Sequence, residues 1–422
     1  MTVLIAGAGI GGLTLALSLH QAGIACRVFE AVEKLQPLGV GINLQPHAVR
    51  ELEELGLREA VANLGIPIAG LRYASTHGQT IWHEPRGLEA GYRWPQFAVH
   101  RGGLQMLLFE TVRARLGESA VVCGRTAVDY ESESDGIQLV LEDRRNGSRQ
   151  RVRGDLLIAA DGIHSTLRAR HYPDEGPPRW GGTVMWRGVT RGPEFLGGQT
   201  MAMSGCKARK FVCYPIGRHA GGTIINWIAD LSFPADYLWN REDWNRPGKL
   251  DDFLPQFDQW RFDWLDVPAV IRTAAHVFEY PMVDRDPVDR WTFGRMTLLG
   301  DAAHAMYPIG SNGASQAILD ARVLTGELLR YGVSPDALEA YAAERQPATA
   351  RIVMANRGDG PDKVLDIVEA RAPDGFDAVE DVLGAEELAR TASAYKAVAG
   401  MDIEALNARP SIVALAPVPE ST

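Results

Sequence analysis

Apolar residues run along this chain in two rhythms. Thr2 to Ala6 is a short, almost wholly apolar run closed by Gly7, the pattern of a buried strand. Leu13 to Gln21 carries apolar residues at helical spacing and stops at Gly23, and Ile24 to Phe29 reads as a second strand ending at Glu30. Pro46 sits where a helix tolerates it, in the first turn of a segment running to Leu55-Gly56. His100 to Leu116 reads as a helix, Asp155 to Asp161 and Met296 to Gly300 as further buried strands, and about Asn312 to Arg330 as a long helix. From about Ile66 to Phe97 and about Pro177 to Met282 the chain turns to short strands, glycines and aromatics. Nine of the ten tryptophans fall there, which predicts a mixed or antiparallel sheet with one helix near Leu250 to Trp260.

The expected class is therefore α/β. A Rossmann-like dinucleotide-binding domain is assembled from residues 1–66, 97–176 and 283–357, with a β-sheet substrate domain inserted as 67–96 and 177–282. Residues 358–422 read as a C-terminal helical segment ending in a tail at Ala416-Pro417-Val418-Pro419.

Composition narrows the partners. The 422 residues carry a formal charge of -10, which argues against a nucleic-acid partner. Arg144, Arg145, Arg149, Arg151 and Arg153 flank Asn146-Gly147 and read as a solvated hairpin. The four cysteines lack metal-ligand spacing, so reduced thiols in a cytoplasmic protein and no metal site are expected. The N-terminus lacks the charged region of a signal peptide and no apolar stretch approaches about 18 residues, so no membrane partner is expected.

Gly7-Ala8-Gly9-Ile10-Gly11-Gly12 is a GxGxxG between a strand and a helix. Gly7 allows the tight turn, Gly9 lets a pyrophosphate reach the backbone, and Gly12 permits close helix–strand packing. The helix start offers unpaired N–H groups to phosphate. Glu30 is placed to bond the ribose hydroxyls, which fits FAD or NAD rather than a 2′-phosphorylated nucleotide.

Two further motifs choose between those cofactors. Asp161-Gly162, with Ser165 and Arg168, ends one strand and opens a helix; Gly300-Asp301 ends another and is followed by Pro308-Ile309-Gly310-Ser311-Asn312-Gly313. In this order and spacing, residues 1 to about 350 resemble the class A flavoprotein monooxygenases of the p-hydroxybenzoate hydroxylase fold. Pro37 to Asn43, Glu84 to Gly87, Met185 to Val189 and Tyr280 to Pro287 are similar to the phenazine-modifying hydroxylases within it, a likeness that fades after about Arg357.

The resemblance implies FAD as bound cofactor, with NAD(P)H as a transient co-substrate and O2 as oxidant. It also implies oxygen transfer from a flavin C4a-hydroperoxide to a small aromatic substrate, phenazine-like or carboxylated, with or without decarboxylation. It assigns Asp161, Gly162 and Arg168 to FAD and NAD(P)H, Gly300 and Asp301 to the ribityl chain, and Arg101 to the ribityl–phosphate region, with Gln105 one turn on. No second GxGxxG provides a separate nicotinamide domain.

The chemistry of the residues agrees. A turn opening a helix at Gly310, Asn312 and Gly313 would aim N–H groups at the charge of reduced flavin, and Pro308 with Gly310 would form a wall beside it. Gly39, Val40 and Gly41 offer close approach on another part of the ring. Met185, Trp186, Met201, Met203, Tyr214, Trp227 and Tyr280 are candidates for the aromatic pocket or for core packing, Arg187 for a substrate carboxylate or a structural ion pair, and His304 for an acid/base role or, the commoner use of such a histidine, a structural hydrogen bond. Besides hydroxylation, a flavin oxidase, dehydrogenase or epoxidase on this scaffold and a non-catalytic flavin-binding protein stay open at this stage.

Overall fold

A computed structural model of the chain describes residues 1–234, 236–237, 246–358, 360, 362–388, 390 and 398–414. The expected tail at Ala416 to Pro419 lies outside them. The short apolar runs form one six-stranded sheet in the order Thr292–Phe293, Met296–Leu298, Leu156–Ala159, Thr2–Ala6, Ala25–Glu30, Val121–Cys123. All its pairings are parallel except the hairpin at the Thr292–Phe293 edge. Thr2–Ala6 lies centrally, so Val3, Leu4 and Ile5 are wholly buried and the run needs no polar alternation.

Helices Ile10–Gln21, Arg101–Leu116 and Gly313–Tyr331 share this core. So does an antiparallel sheet of Arg125–Ser132, Ile137–Asp143 and Arg149–Gly154. The arginine-rich segment is the hairpin at its edge. Arg149, Arg151 and Arg153 pair with Glu142, Glu131 and Glu133, so their charge is spent on exposed ion pairs.

The aromatic-rich insert is a seven-stranded sheet in the order Val277–Asp284, Arg179–Gly192, Gly222–Ser232, Arg209–His219, Thr200–Cys206, Gly70–Ala74, Thr80–Pro85. Its side chains alternate between two faces. Trp186, Phe211 and Trp227 pack on one side with Phe253, Phe257 and Trp260. Met185, Met201, Val212, Tyr214 and Ile228 occupy the other. The helix expected near Leu250 to Trp260 is instead two short 3₁₀ turns, Leu250–Asp252 and Leu254–Phe257. Pro255 lacks the N–H a continuous helix would use, and the turns insert Phe253 and Phe257 into the aromatic face.

Gly41–Leu44, Gln96–His100 and Gly65–Ile68 form a small sheet between these layers. The C-terminal segment contains helices Lys363–Arg371 and Ile403–Ala408. Val364, Leu365, Val368, Leu383 and Leu388 share a core with Leu71, Tyr73, Met201 and Tyr214 of the insert. No helix among the described residues is long and apolar enough to cross a membrane.

Candidate active site

The glycine motif is built by contact. Gly7 has φ +107, and a Cβ on it would lie 2.3 Å from the Ala160 carbonyl oxygen. A Cβ on Gly12 would lie 2.1 Å from the Gly7 oxygen, so helix Ile10–Gln21 packs against the turn only without a side chain there. Gly9 differs: a Cβ would meet nothing within 4 Å, so open space adjoins the helix start. No side chain caps that helix and no acid lies in its first turn, leaving its N–H groups for an anion. Glu30 accepts from the Ala8 amide at 2.8 Å, fixing its carboxylate beside the turn. Gln105 donates to the Ala8 carbonyl at 2.8 Å, so it supports the loop from behind.

A cleft of about 1180 Å³, partly open to solvent, runs from this turn to the insert. Gly9, Gly41, Arg101, Gly162, Gly300, Asp301, Asn312 and Gly313 line it, bringing motifs distant in sequence to one surface. Gly39 and Val40 are not among the residues lining the cleft, and the Val40 carbonyl accepts from the Arg101 amide at 2.9 Å. Arg187 and Tyr214 both donate to the Gly41 carbonyl, at 2.9 and 2.8 Å, anchoring that strand to the insert. Burial pushes the Asp161 carboxyl up; its Oδ2 accepts from the Thr166 amide, while its Oδ1, like Nδ2 of Asn312 and Nε of Arg187, is buried without a partner.

These orphaned polar atoms, the uncapped helix start and the side-chain-free edge at Gly9 fit an extended dinucleotide with polar groups along its length. The donor set also suits FAD, with an acid for ribose, backbone N–H groups for pyrophosphate and Asp301 for a polyol.

Arg168 is placed differently from the expectation. It is buried, donates to the carbonyls of Ala302, Ala303 and Asp286, and pairs with Glu175. Its fork is consumed in bracing the Gly300–Asp301 turn, so it does not face the cleft. His304 is likewise structural. Its Nε2 lies 2.6 Å from Asp320, which also accepts from Arg345 at 2.7 Å and from the Gly300 amide at 3.0 Å. Burial would raise the Asp320 carboxyl, but His304 and Arg345 hold it down at about 2.

Beyond Pro308 the cleft continues into a smaller chamber that is itself partly open to solvent. Tyr214, Ile228, Pro308 and Ser311 line both spaces and so form the junction. Gly310 has φ +74 and Ser311 φ +53, and this left-handed pair turns the chain along the chamber wall. Met185, Met201, Met203, Val212 and Met282 supply soft apolar surface.

Trp186 and Trp227 do not belong to the chamber. Trp186 stacks on Phe253 at 4.9 Å, and Trp227 donates to the Thr190 hydroxyl at 3.0 Å on the opposite face. Alternation requires this, since Met185 and Arg187 cannot face one way together with Trp186. Tyr280 packs beside Met185 and Met282 without lining the space.

The same alternation locates residues that motif reading missed. Tyr214 facing inward puts Lys210 and Val212 there, and Ile228 brings Asp230; all line the chamber. Asp362, from the C-terminal segment, joins them and accepts from Lys210 at 2.5 Å.

Residues 1–177 and 275–356 match the FAD binding domain family. The chain is 48% identical over 361 residues to phenazine 1,6-dicarboxylic acid hydroxylase of Lysobacter antibioticus, covering 84% of this chain and 89% of that protein. It is 31% identical to 3-hydroxybenzoate 6-hydroxylase 1 of Aquipseudomonas alcaligenes, over 84% and 87%. The structure of Klebsiella pneumoniae HpxO with FAD and uric acid superposes with TM-score 0.73 at 25% identity, over 96% of each chain. A salicylate hydroxylase substrate complex shares the fold, with TM-score 0.74 at 22% identity and 99% of each chain covered. The chain belongs to this family: it is an FAD-dependent aromatic monooxygenase of the p-hydroxybenzoate hydroxylase fold.

Proposed function

We propose that the enzyme uses NAD(P)H and O2 to hydroxylate a planar aromatic carboxylic acid of the phenazine class. The observation that carries this reading is the chamber itself, an apolar slot walled by methionines that meets the cleft at Pro308 and ends in buried charged groups. The likeness to a phenazine dicarboxylic acid hydroxylase over most of the chain supports it.

Gly9, Glu30, Arg101, Gly300, Asp301 and Gly313 would hold FAD along the cleft. Bound there, FAD supplies the redox chemistry, accepting electrons from NAD(P)H and activating oxygen. The chain's own part is positioning. The Tyr214 hydroxyl and Arg187 fix the Gly41 backbone at the junction, and Pro308 with Gly310 shapes the wall where substrate and cofactor would meet. Met185, Met201 and Met282 exclude water from the aromatic ring while yielding to its shape.

The test is anaerobic titration of holoenzyme with NADH and with NADPH, with and without phenazine-1,6-dicarboxylate. Bleaching of the flavin that accelerates when the acid is present is expected. A flavin that neither nucleotide reduces with the acid bound would refute the reading.

A further inference from the structure

At the end of the chamber away from the cleft, three elements bring charged groups together. Lys210 comes from strand Arg209–His219, Asp230 from strand Gly222–Ser232, and Asp362 from the chain just before helix Lys363–Arg371. Lys210 Nζ donates to Asp362 at 2.5 Å and stands 3.6 Å from Asp230 Oδ2. Lys210 and Asp230 are 7% and 4% exposed. Asp230 Oδ1 is buried with no hydrogen-bond partner. Arg86 Nε is also buried without one, its Nη2 being engaged by Glu84 at 2.8 Å. An apolar slot thus terminates in a lysine and in polar atoms whose bonding is incomplete, a costly arrangement unless something completes it.

We propose that Lys210 and Asp230 form the recognition site for a carboxyl group on the edge of the substrate remote from the flavin. The inference rests on the reading of the substrate as an aromatic acid and says which residues read its acid group. One carboxylate oxygen accepts from Lys210. The other shares a proton with Asp230 Oδ1, because two carboxyl groups side by side do not both ionise.

The surroundings favour that proton. Burial pushes the Asp230 carboxyl up, and Asp362 adds to the rise, while Lys210 and Arg187 oppose it. Asp362 is held down by Lys210, which outweighs its own burial, with Lys207 assisting. Asp366 also faces Lys210 and helps keep it charged. Binding of the acid therefore carries a proton into the site and weakens as pH rises through the Asp230 titration.

The test measures dissociation constants of the holoenzyme from the change in flavin absorbance, using phenazine-1,6-dicarboxylate and unsubstituted phenazine across pH. Lys210→Met should weaken the diacid by at least about tenfold, the scale of one charge-assisted hydrogen bond, and leave phenazine nearly unaffected. Lys210→Arg should restore much of the loss. Asp230→Asn keeps a donor that does not titrate, so diacid binding should persist with its pH dependence flattened. Equal weakening of both ligands in Lys210→Met, or an unchanged pH profile in Asp230→Asn, would overturn the proposal. Should Lys210→Met fail to fold, the Asp230→Asn profile decides. Wild-type protein that binds phenazine but not the diacid refutes the subsite alone, whereas wild-type protein that responds to neither ligand refutes the substrate reading itself.

Discussion

Replacing Asp320 should loosen the flavin site from beneath, although its own side chain does not line the cleft. Its carboxylate is wholly buried and takes hydrogen bonds from the Gly300 amide, His304 and Arg345. A carboxyl moved from an ordinary value near 3.8 to about 2 contributes about 2 kcal/mol of stability. Because the folded value is the lower one, this stability is present above about pH 4 and is lost as pH falls towards about 2. Removing the charge outright also leaves the buried Arg345 without its countercharge, with only Gln316 to bond, so Asp320→Ala should cost about 3–5 kcal/mol and Asp320→Asn somewhat less. Denaturant titration from acid to neutral pH, read beside the fluorescence of released flavin, measures both effects. Flavin should leave at lower denaturant in the variants, since the Gly300–Asp301 turn loses its brace. An Asn variant as stable as wild type, with the same acid slope and the same flavin release, would mean that Asp320 does not brace the Gly300–Asp301 turn.

Other substitutions probe separate parts of the account. Gly12→Val puts a side chain where even a Cβ would lie 2.1 Å from the Gly7 oxygen, and purified protein should contain little FAD by absorbance. Asp301→Ala should weaken FAD retention without unfolding the chain, because its exposed side chain lines the cleft and full flavin occupancy would count against that role. Trp227→Ala should destabilise the insert by about 3–5 kcal/mol while leaving the KM for the aromatic acid close to wild type, since Trp227 lies on the face away from the chamber. A raised KM without loss of thermal stability would put it in the site after all.

Much of the cofactor side is legible in sequence because it depends on backbone. Gly7, Gly12, Gly162 and Gly300 are glycines for steric or conformational reasons that the motif spacing itself signals. Arg168 and His304 belong to those motifs but serve them from the rear, and side-chain direction is not written in spacing. On the substrate side, aromatic content identifies the sheet without saying which face is which. Period-two alternation from Tyr214 reaches Lys210 on the same strand, but excluding Trp227 also needs the register that pairs it with Cys213 on the neighbouring strand. Asp362 was beyond reach, because its place depends on how the C-terminal segment folds back over the insert.

If FAD is held in the cleft, one atom of dioxygen should reach an aromatic ring bound in the chamber. Turnover of phenazine-1,6-dicarboxylate with NAD(P)H under isotopically labelled O2, followed by mass spectrometry, tests it most directly. The expected product is hydroxylated and carries one labelled oxygen atom per molecule. An oxidised product without label, formed while the label appears only in hydrogen peroxide, would contradict it.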